Sequence, residues 1–231
     1  MSDVTDVAYQ YNKIALRFDS SRIRIWNNVK KFLSKCDENN KLKLLDAGCG
    51  NGKNSLYALS LNYDVVGMDI STELLNISKQ KGLNVYYEDI LNLNISEEYD
   101  KCISIAVIHH LNSLELQCKA ISNLINSLKN NGELLISVWS YEKENILFKD
   151  NHDACDSNNS IKNDYRDFVK GDNYIDWKTD NEIIKRYYYI HDYYSFKQLI
   201  KMVDDIYNIS YIISWEKQNW FCKINKNIQY I

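Results

Sequence analysis

The sequence predicts an α/β fold, a mostly parallel sheet with helices on both faces and an antiparallel strand closing its C-terminal end. Three observations lead there. Short apolar runs alternate with amphipathic stretches from Leu42 to Trp139, the pattern of strands joined by crossover helices. The first run, Leu42, Leu44 and Leu45, ends in Asp46 and passes into Gly48, Gly50 and Gly52, a tight turn into a helix. The second run, Asp64 to Met68, ends in Asp69, about 20 residues beyond the glycines, the separation at which such a unit presents a carboxylate to ribose hydroxyls.

In chain order, Tyr9, Tyr11, Ile14, Ala15 and Phe18 have helical spacing, and the segment Arg22 to Lys35 puts Ile25, Val29, Phe32 and Leu33 on one face, so two helices precede the first strand. They carry Lys13, Arg17, Arg22, Arg24, Lys30, Lys31 and Lys35, the densest basic cluster in the chain, which serves either as a solvated face or as a polyanion surface. Helices follow the first two strands near Asn54 to Leu61 and Thr72 to Lys81, the latter capped by Ser71 or Thr72. A third strand, Val85 to Tyr87, ends in Glu88 and Asp89, and a fourth, Lys101 to Ile108, runs into His109 and His110. A helix from Leu114 to Leu128, with Gly132 as its C-cap, precedes a fifth strand from Glu133 to Trp139. The pattern then breaks from Tyr141 to Asp176. Its stretch Lys149 to Asp167, rich in Asn, Asp and Ser, suits a mobile surface loop or lid. A helix from Ser195 to Met202 and two apolar runs, Ile206 to Ile213 and Trp215 to Ile224, suggest an antiparallel pair closing the sheet.

Ligands sit at the carboxyl ends of parallel strands, and Gly48, Asp69, Asp89, His109, His110 and Trp139 all fall there. The 231 residues fit one domain. Residues 1–38 read as N-terminal helices, 39–140 as a cofactor-binding core, 141–186 as a substrate-side insertion, and 187–231 as the C-terminal helix and strands. A net charge of −3 provides no global basic field, so nucleic-acid contact needs a local patch. Six scattered cysteines without a C-x-x-C pair indicate neither a zinc knuckle nor a disulfide framework, and adjacent histidines without companion ligands make a poor metal site. With no run of 18 apolar residues and no signal-peptide pattern, the protein is expected to be soluble and cytoplasmic, the nucleus being left open. The absence of proline, with 18 tyrosines, points to an AT-rich coding bias that weakens turn signals.

The spacing Asp46-x-Gly48-x-Gly50-x-Gly52 departs from the glycine pattern of dinucleotide enzymes and resembles motif I of the class I S-adenosylmethionine-dependent methyltransferases, a Rossmann-like fold. Together with Ile103 to Leu111, which contains the His-His pair, it resembles the tRNA carboxymethyluridine methyltransferases, the wobble-uridine enzymes also found fused to AlkB-type oxygenases. Tyr11 to Ala15, Ser21-Arg22 with Trp26, Val138-Trp139, Gly171-Asp172 with Trp177, Arg186-Tyr187-Tyr188 and Asn219-Trp220 are similar to further stretches of that family, so the likeness spans nearly the whole chain. Two places depart from it. Leu116 and Gln117 stand where the family carries two arginines, and Tyr189 stands where a histidine continues the Arg-Tyr-Tyr motif, His191 lying two residues on.

The resemblance implies transfer of the methyl of S-adenosylmethionine to the carboxylate of 5-carboxymethyluridine in tRNA, leaving S-adenosylhomocysteine, with a small zinc-binding activator as heterodimer partner. It implies cofactor contacts from Asp46, Gly48, Cys49, Gly50, Asn51, Gly52, Asp69, Ile70, Asp89, Ile90 and Ala106. A carboxylate with a pKa of about 4 is ionised near pH 7 and needs no general base, so positioning must dominate. A guanidinium can grip it bidentately, and Arg22 and Arg186 are the candidates, with His110 orienting the acceptor. His109, Trp139, Trp177, Tyr187, Asn219 and Trp220 are candidate substrate contacts, the tryptophans as stacking partners for an extruded base or, alternatively, as core. A small-molecule O- or N-methyltransferase and a catalytically silent cofactor-binding subunit remain as alternatives, since fold does not set the acceptor.

Overall fold

The computed structural model describes residues 4–37, 40–143, 167–179 and 182–227. The expected loop at residues 149–166, with Cys155, lies outside the described residues. Helices α1 (Val4–Ser21) and α2 (Asn27–Phe32) lead into β1 (Lys43–Ala47), α3 (Lys53–Ser60), β2 (Asp64–Asp69), α4 (Thr72–Gln80), β3 (Val85–Tyr87), β4 (Tyr99–Ile105), α5 (Leu114–Ser127) and β5 (Leu128–Trp139). Then come β6 (Gly171–Lys178), β7 (Ile183–Ile190), α6 (Tyr193–Tyr207), β8 (Ser210–Trp215) and β9 (Asn219–Asn225). The main sheet has seven strands in the order β3-β2-β1-β4-β5-β9-β8. Strands β1 to β5 run parallel, and β9 and β8 pair antiparallel. Strand order reverses between β1 and β4, the switch point at which open α/β sheets leave a crevice.

Both faces of the sheet are covered, so its strands alternate between two cores rather than between core and water. Leu45, Cys102, Leu134 and Ile136 pack under α5 and α6, while Leu44, Ile103 and Leu135 face α2 and α3. Helix α2 has no capping side chain of its own. Glu216, from the β8–β9 turn, takes that place by accepting from the backbone N–H groups of Asn27 and Asn28, each at 3.0 Å.

Three expectations are corrected here. The segment Arg22 to Lys35 is helical only over Asn27–Phe32. Gly132 does not cap α5, which ends at Ser127 with Leu128 as C-cap. It lies within β5, beside Asn131 at φ +62°, where the register against β4 shifts. The segment Gly171 to Ile190 forms a two-stranded antiparallel hairpin, β6 with β7, so the boundary placed at 186/187 falls inside β7. Its inward and outward residues do alternate, but the exposed face carries Tyr174 and Ile183, which blurs the pattern. No described helix is long and apolar enough to cross a membrane. Among the described residues no group of three or more His, Cys, Asp or Glu could hold a metal.

Candidate active site

A cavity lies over the carboxyl ends of β1, β2 and β4, walled on one side by the loop that follows β1. Gly48 leaves β1 at φ +77°, and a Cβ there would meet a Val107 methyl at 2.3 Å, so only glycine fits the turn. Gly48 and Cys49 donate their N–H groups to the Met68 carbonyl, at 2.8 and 2.9 Å, which ties the loop to β2. Gly50 then donates to Asp69 Oδ2 at 2.8 Å, and Ser71 donates to Asp69 Oδ1 at 2.8 Å. A Cβ on Gly50 would meet only Phe18, at 3.5 Å, which leaves that stretch of backbone open toward the cavity. Asp69 is thereby pinned with one lone pair on each oxygen to spare. Burial pushes its carboxyl above the ordinary range, against the opposing pull of those N–H groups.

Behind the loop, Asp46 is buried, accepts from Ser55 Oγ through Oδ2 at 2.6 Å, and has no hydrogen-bond partner for Oδ1. Burial, reinforced by the nearby Asp69 charge, raises its pKa to about 6. Neither Asp46 nor Gly52 forms part of the cavity wall. Gly52 instead occupies the N-cap position of α3. Cys49, Asn51, Ile70, Asp89, Ile90 and Ala106 do line it, along with Gly48, Gly50 and Asp69. Ala106 sits at φ +60°, an uncommon conformation for a residue with a Cβ, with its N–H donated to Ser137. The Asn51 amide is already engaged by Asp19 Oδ1 at 2.9 Å and the Arg22 carbonyl at 3.2 Å.

At the other end of the cavity, residues distant in sequence converge. His109 and His110 do not end a strand. They lie in a 3-10 turn, Ile108–His110, beyond β4. His110 places Nδ1 2.9 Å from the Tyr187 carbonyl, which can only accept, so Nδ1 carries the proton and Nε2 accepts from the Tyr11 hydroxyl at 3.0 Å. Burial and the neighbouring Arg186 lower its pKa to about 4, against the Tyr187 carbonyl, so the ring is neutral at pH 7. His109 is fully buried and accepts from the Trp139 backbone N–H at 2.9 Å. Both histidines border the cavity.

Arg186 reaches the cavity wall from β7 at 4% exposure, and no described residue bonds its guanidinium. Its Nε is buried without a partner. Three ring faces surround it, Trp177 at 4.6 Å, Tyr188 at 5.3 Å and Tyr11 at 5.8 Å from the guanidinium carbon. Arg22 also lines the cavity, with Trp177 and Phe18 rings at 5.8 and 5.7 Å. Trp177 thus touches both arginines without lining the cavity itself.

The remaining candidates separate clearly. Trp139 lines the cavity, but its ring already stacks on Tyr188 at 4.1 Å and on Phe168 at 5.4 Å. Asn219 lines it as well, with its amide nitrogen held by the Lys217 carbonyl at 2.9 Å. Trp220 is displaced from the site. It shares the α5/α6 face of β9 with Cys222 and Ile224, and its indole N–H donates to Glu142 at 2.9 Å. Tyr187 also turns away. Its hydroxyl donates to Asp172 at 2.7 Å, and only its backbone carbonyl serves the site. Gln117 is fully buried, bonding the Leu111 carbonyl and His191, each at 2.8 Å, whereas Leu116 lines the cavity.

Tyr11, Tyr188 and Lys53 are wall residues absent from the sequence-derived site. Period-two alternation could have found Tyr188, because a strand that aims Arg186 at the cavity must aim residue 188 there and 187 away. Lys53 directly follows the glycines. It donates to the Arg24 carbonyl at 3.2 Å, and burial lowers its pKa.

A glycine loop tied to β2, an acid pinned beneath it and a cavity at the switch point define a class I methyltransferase fold. Residues 38–196 match the family model described as a methyltransferase domain, and the chain belongs to that family. It is 41% identical over 135 residues to the tRNA (carboxymethyluridine(34)-5-O)-methyltransferase of Arabidopsis thaliana, covering 58% of this chain and 32% of that protein. It is 32% identical over 139 residues to the Schizosaccharomyces pombe protein of the same name, covering 58% of each. The chain thus spans between about a third and three fifths of these relatives. Among solved structures, an S-adenosylmethionine-dependent methyltransferase from Clostridium acetobutylicum superposes with a TM-score of 0.62 at 17% identity, over 94% of this chain and 99% of that one.

Proposed function

We propose that this protein methylates the carboxylate of 5-carboxymethyluridine at the wobble position of tRNA, with S-adenosylmethionine as donor. The observation that carries this reading is Arg186, a buried guanidinium at the cavity wall with no carboxylate bonded to it among the described residues. A buried cation is costly without a counter-charge, and an anionic acceptor supplies one. The names of the Arabidopsis and fission-yeast relatives point to the same acceptor.

The residues present fit the donor. Gly50 leaves open backbone beside Asp69, whose oxygens each keep a lone pair for ribose hydroxyls, and Asp89 and Ile90 border the place for adenine. Lys53 and Arg22, both in the cavity wall, supply positive charge for an amino-acid carboxylate, while Asp46, outside the wall, steadies the start of α3 from behind through Ser55. When bound, the donor supplies a methyl group on a sulfonium sulfur, which the acceptor oxygen takes in line. The chain itself holds and orients. Arg186 grips the acceptor carboxylate, and neutral His110, locked between Tyr11 and the Tyr187 carbonyl, shapes the wall without taking a proton.

Of the basic cluster between Lys13 and Lys35, Arg22 lines this cavity, and the part of the cluster is to track RNA phosphates, with binding that weakens steeply as salt rises. Some of the cluster also serves the fold, since Lys13 pairs with Glu182 at 3.2 Å and Arg17 donates to the Lys178 carbonyl at 3.3 Å. A small zinc-binding activator forms the heterodimer partner in the cytoplasm, tested by its co-purification at one-to-one mass. The function is tested by nucleoside mass spectrometry of carboxymethyluridine-containing tRNA after incubation with protein, activator and S-adenosylmethionine. A gain of methyl ester is expected, and an unchanged nucleoside pattern removes the assignment. A small-molecule methyltransferase would instead show no salt-sensitive RNA binding.

A further inference from the structure

Arg186 is 4% exposed at the cavity wall, its Nε buried without a partner and no counter-charge bonded to it by any described residue, and what surrounds it is aromatic. The rings come from three elements, Tyr11 from α1, Trp177 from β6 and Tyr188 from β7. Ring quadrupoles attract a cation, but more weakly than a desolvated carboxylate does, and they accept none of its N–H bonds. Such a cage holds the plane of the group while leaving its hydrogen-bonding capacity unspent. Tyr11 is fixed in this cage by a second contact, the bond from its hydroxyl to His110 Nε2 at 3.0 Å, so α1 closes the cage and the histidine locks α1 in place.

Methyl transfer changes the charge that this cage faces. The acceptor enters as an anion and leaves as an uncharged ester, so the ion pair with Arg186 exists before the reaction and is absent after it. Resting on the function proposed above, we infer that the ring cage around Arg186 is a charge reader, admitting the ionised acid and releasing its own neutral product, with Tyr11 and Trp177 as positioning residues. An uncharged amide of the same shape is rejected for the same reason. Losing one partner of a buried ion pair lowers affinity by roughly 30-fold or more.

The test uses three anticodon stem-loop RNAs that differ only at the wobble nucleoside, carrying carboxymethyluridine, its methyl ester or its amide. Their binding to the full chain is measured with saturating S-adenosylhomocysteine, so no turnover occurs. The acid is expected to bind roughly 30-fold tighter than the ester or the amide, and Arg186→Gln to bring the three together. Trp177→Leu and Tyr11→Leu should shrink the acid-to-ester ratio. Trp177→Phe, which keeps a ring face, should restore most of it, and Tyr11→Phe, which keeps the ring but loses the hydroxyl bond to His110 Nε2, should restore part of it. Equal binding of acid and ester by the unaltered protein overturns the inference, as does a ratio that survives Arg186→Gln. If ester still forms in the turnover assay, the proposed function stands without the charge reader. Absence of ester formation there counts against the function itself. The ratio in the unaltered protein and in the phenylalanine variants decides the matter even if the leucine variants do not fold.

Discussion

On the cofactor side of the cavity, the bond that sets the loop joins Gly50 to Asp69, 19 residues apart, and the neighbouring ties run between the same two strand ends. On the acceptor side, Tyr11 lies against Tyr188, 177 residues away, and His110 sits between them. One side is backbone N–H groups and carboxylates from a single strand–helix–strand unit. The other is a set of aromatic and cationic side chains that meet only when α1 and the β6–β7 hairpin dock over the sheet. The cofactor side therefore depends on local geometry, and damage to it removes binding outright. The acceptor side depends on docking, and changes there separate affinity, rate and stability.

The largest effect that could break this contrast is on Asp69. Asp69→Ala leaves the Gly50 and Ser71 N–H groups without their acceptor, at about 1–3 kcal/mol each. Calorimetric binding of S-adenosylhomocysteine should fall by about 100-fold or more, with methyl transfer lost. Affinity within threefold of the unaltered protein would show that the loop holds its shape without the acid.

Arg186→Met tests the other side and should split two quantities that Asp69→Ala does not. Methyl transfer to the acid-bearing RNA should fall about 100-fold, with cofactor affinity unchanged. Thermal stability should hold or rise, because an apolar side chain there carries no charge that has to be desolvated. A marked drop in melting temperature would mean that the ring cage stabilises the cation fully, and the charge would then not be reserved for a ligand.

The two sides also carry opposite pH signatures. Burial depresses His110 to about 4 and His191, on the hairpin's exit, to about 3. Both are neutral in the fold and must charge on unfolding in acid, so their contribution is complete above the ordinary histidine pKa of about 6.5 and is lost as pH falls toward 4 and below. Asp46, raised to about 6, has the reverse sign. Its contribution is complete below the ordinary carboxyl pKa of about 3.9 and is lost as pH rises through 6. Denaturant titrations across pH 3 to 8 should show His110→Asn flattening the acid limb and Asp46→Asn raising stability near pH 7. The same slope in all three proteins would refute the opposition.

What could be read in advance follows the same division. Gly48, Gly50, Asp69 and the parallel strands are contiguous patterns, each carrying its physical reason within a few residues. The hairpin at Gly171–Ile190 escaped because Asp172, Asn173 and Asp176 break the apolar content of its first strand, while Tyr174 and Ile183 on the exposed face mask the alternation. Gly132 looked like a helix end because glycine after an apolar stretch usually is one. Here the chain turns directly from α5 into β5, and Asn131 takes the positive φ. Arg186 and Tyr11 both fall in stretches that resemble the family, but the role of Tyr11 was not legible, because nothing in residues 9–18 says which face of α1 will meet a histidine 99 residues on.

Trp220 supplies the smallest effect, and it separates the two tryptophan groups that sequence alone treats alike. It follows cavity-lining Asn219, and strand alternation sends its ring to the opposite face, among Cys222, Ile224 and Tyr193, with the indole N–H on Glu142 at 2.9 Å. Glu142 also accepts from the Tyr193 backbone N–H at 2.7 Å and from Ser140 Oγ at 2.8 Å, so it keeps its place when the indole is removed. Trp220→Phe should lower stability by about 1 kcal/mol through the lost bond and reduced volume. It should leave kcat/KM for the RNA within twofold. Trp177→Phe touches a ring that contacts both arginines, so its effect should appear in acceptor binding rather than in the melting curve. A rise in KM for Trp220→Phe, with cofactor binding intact, would put the indole in the acceptor path and return it to the site.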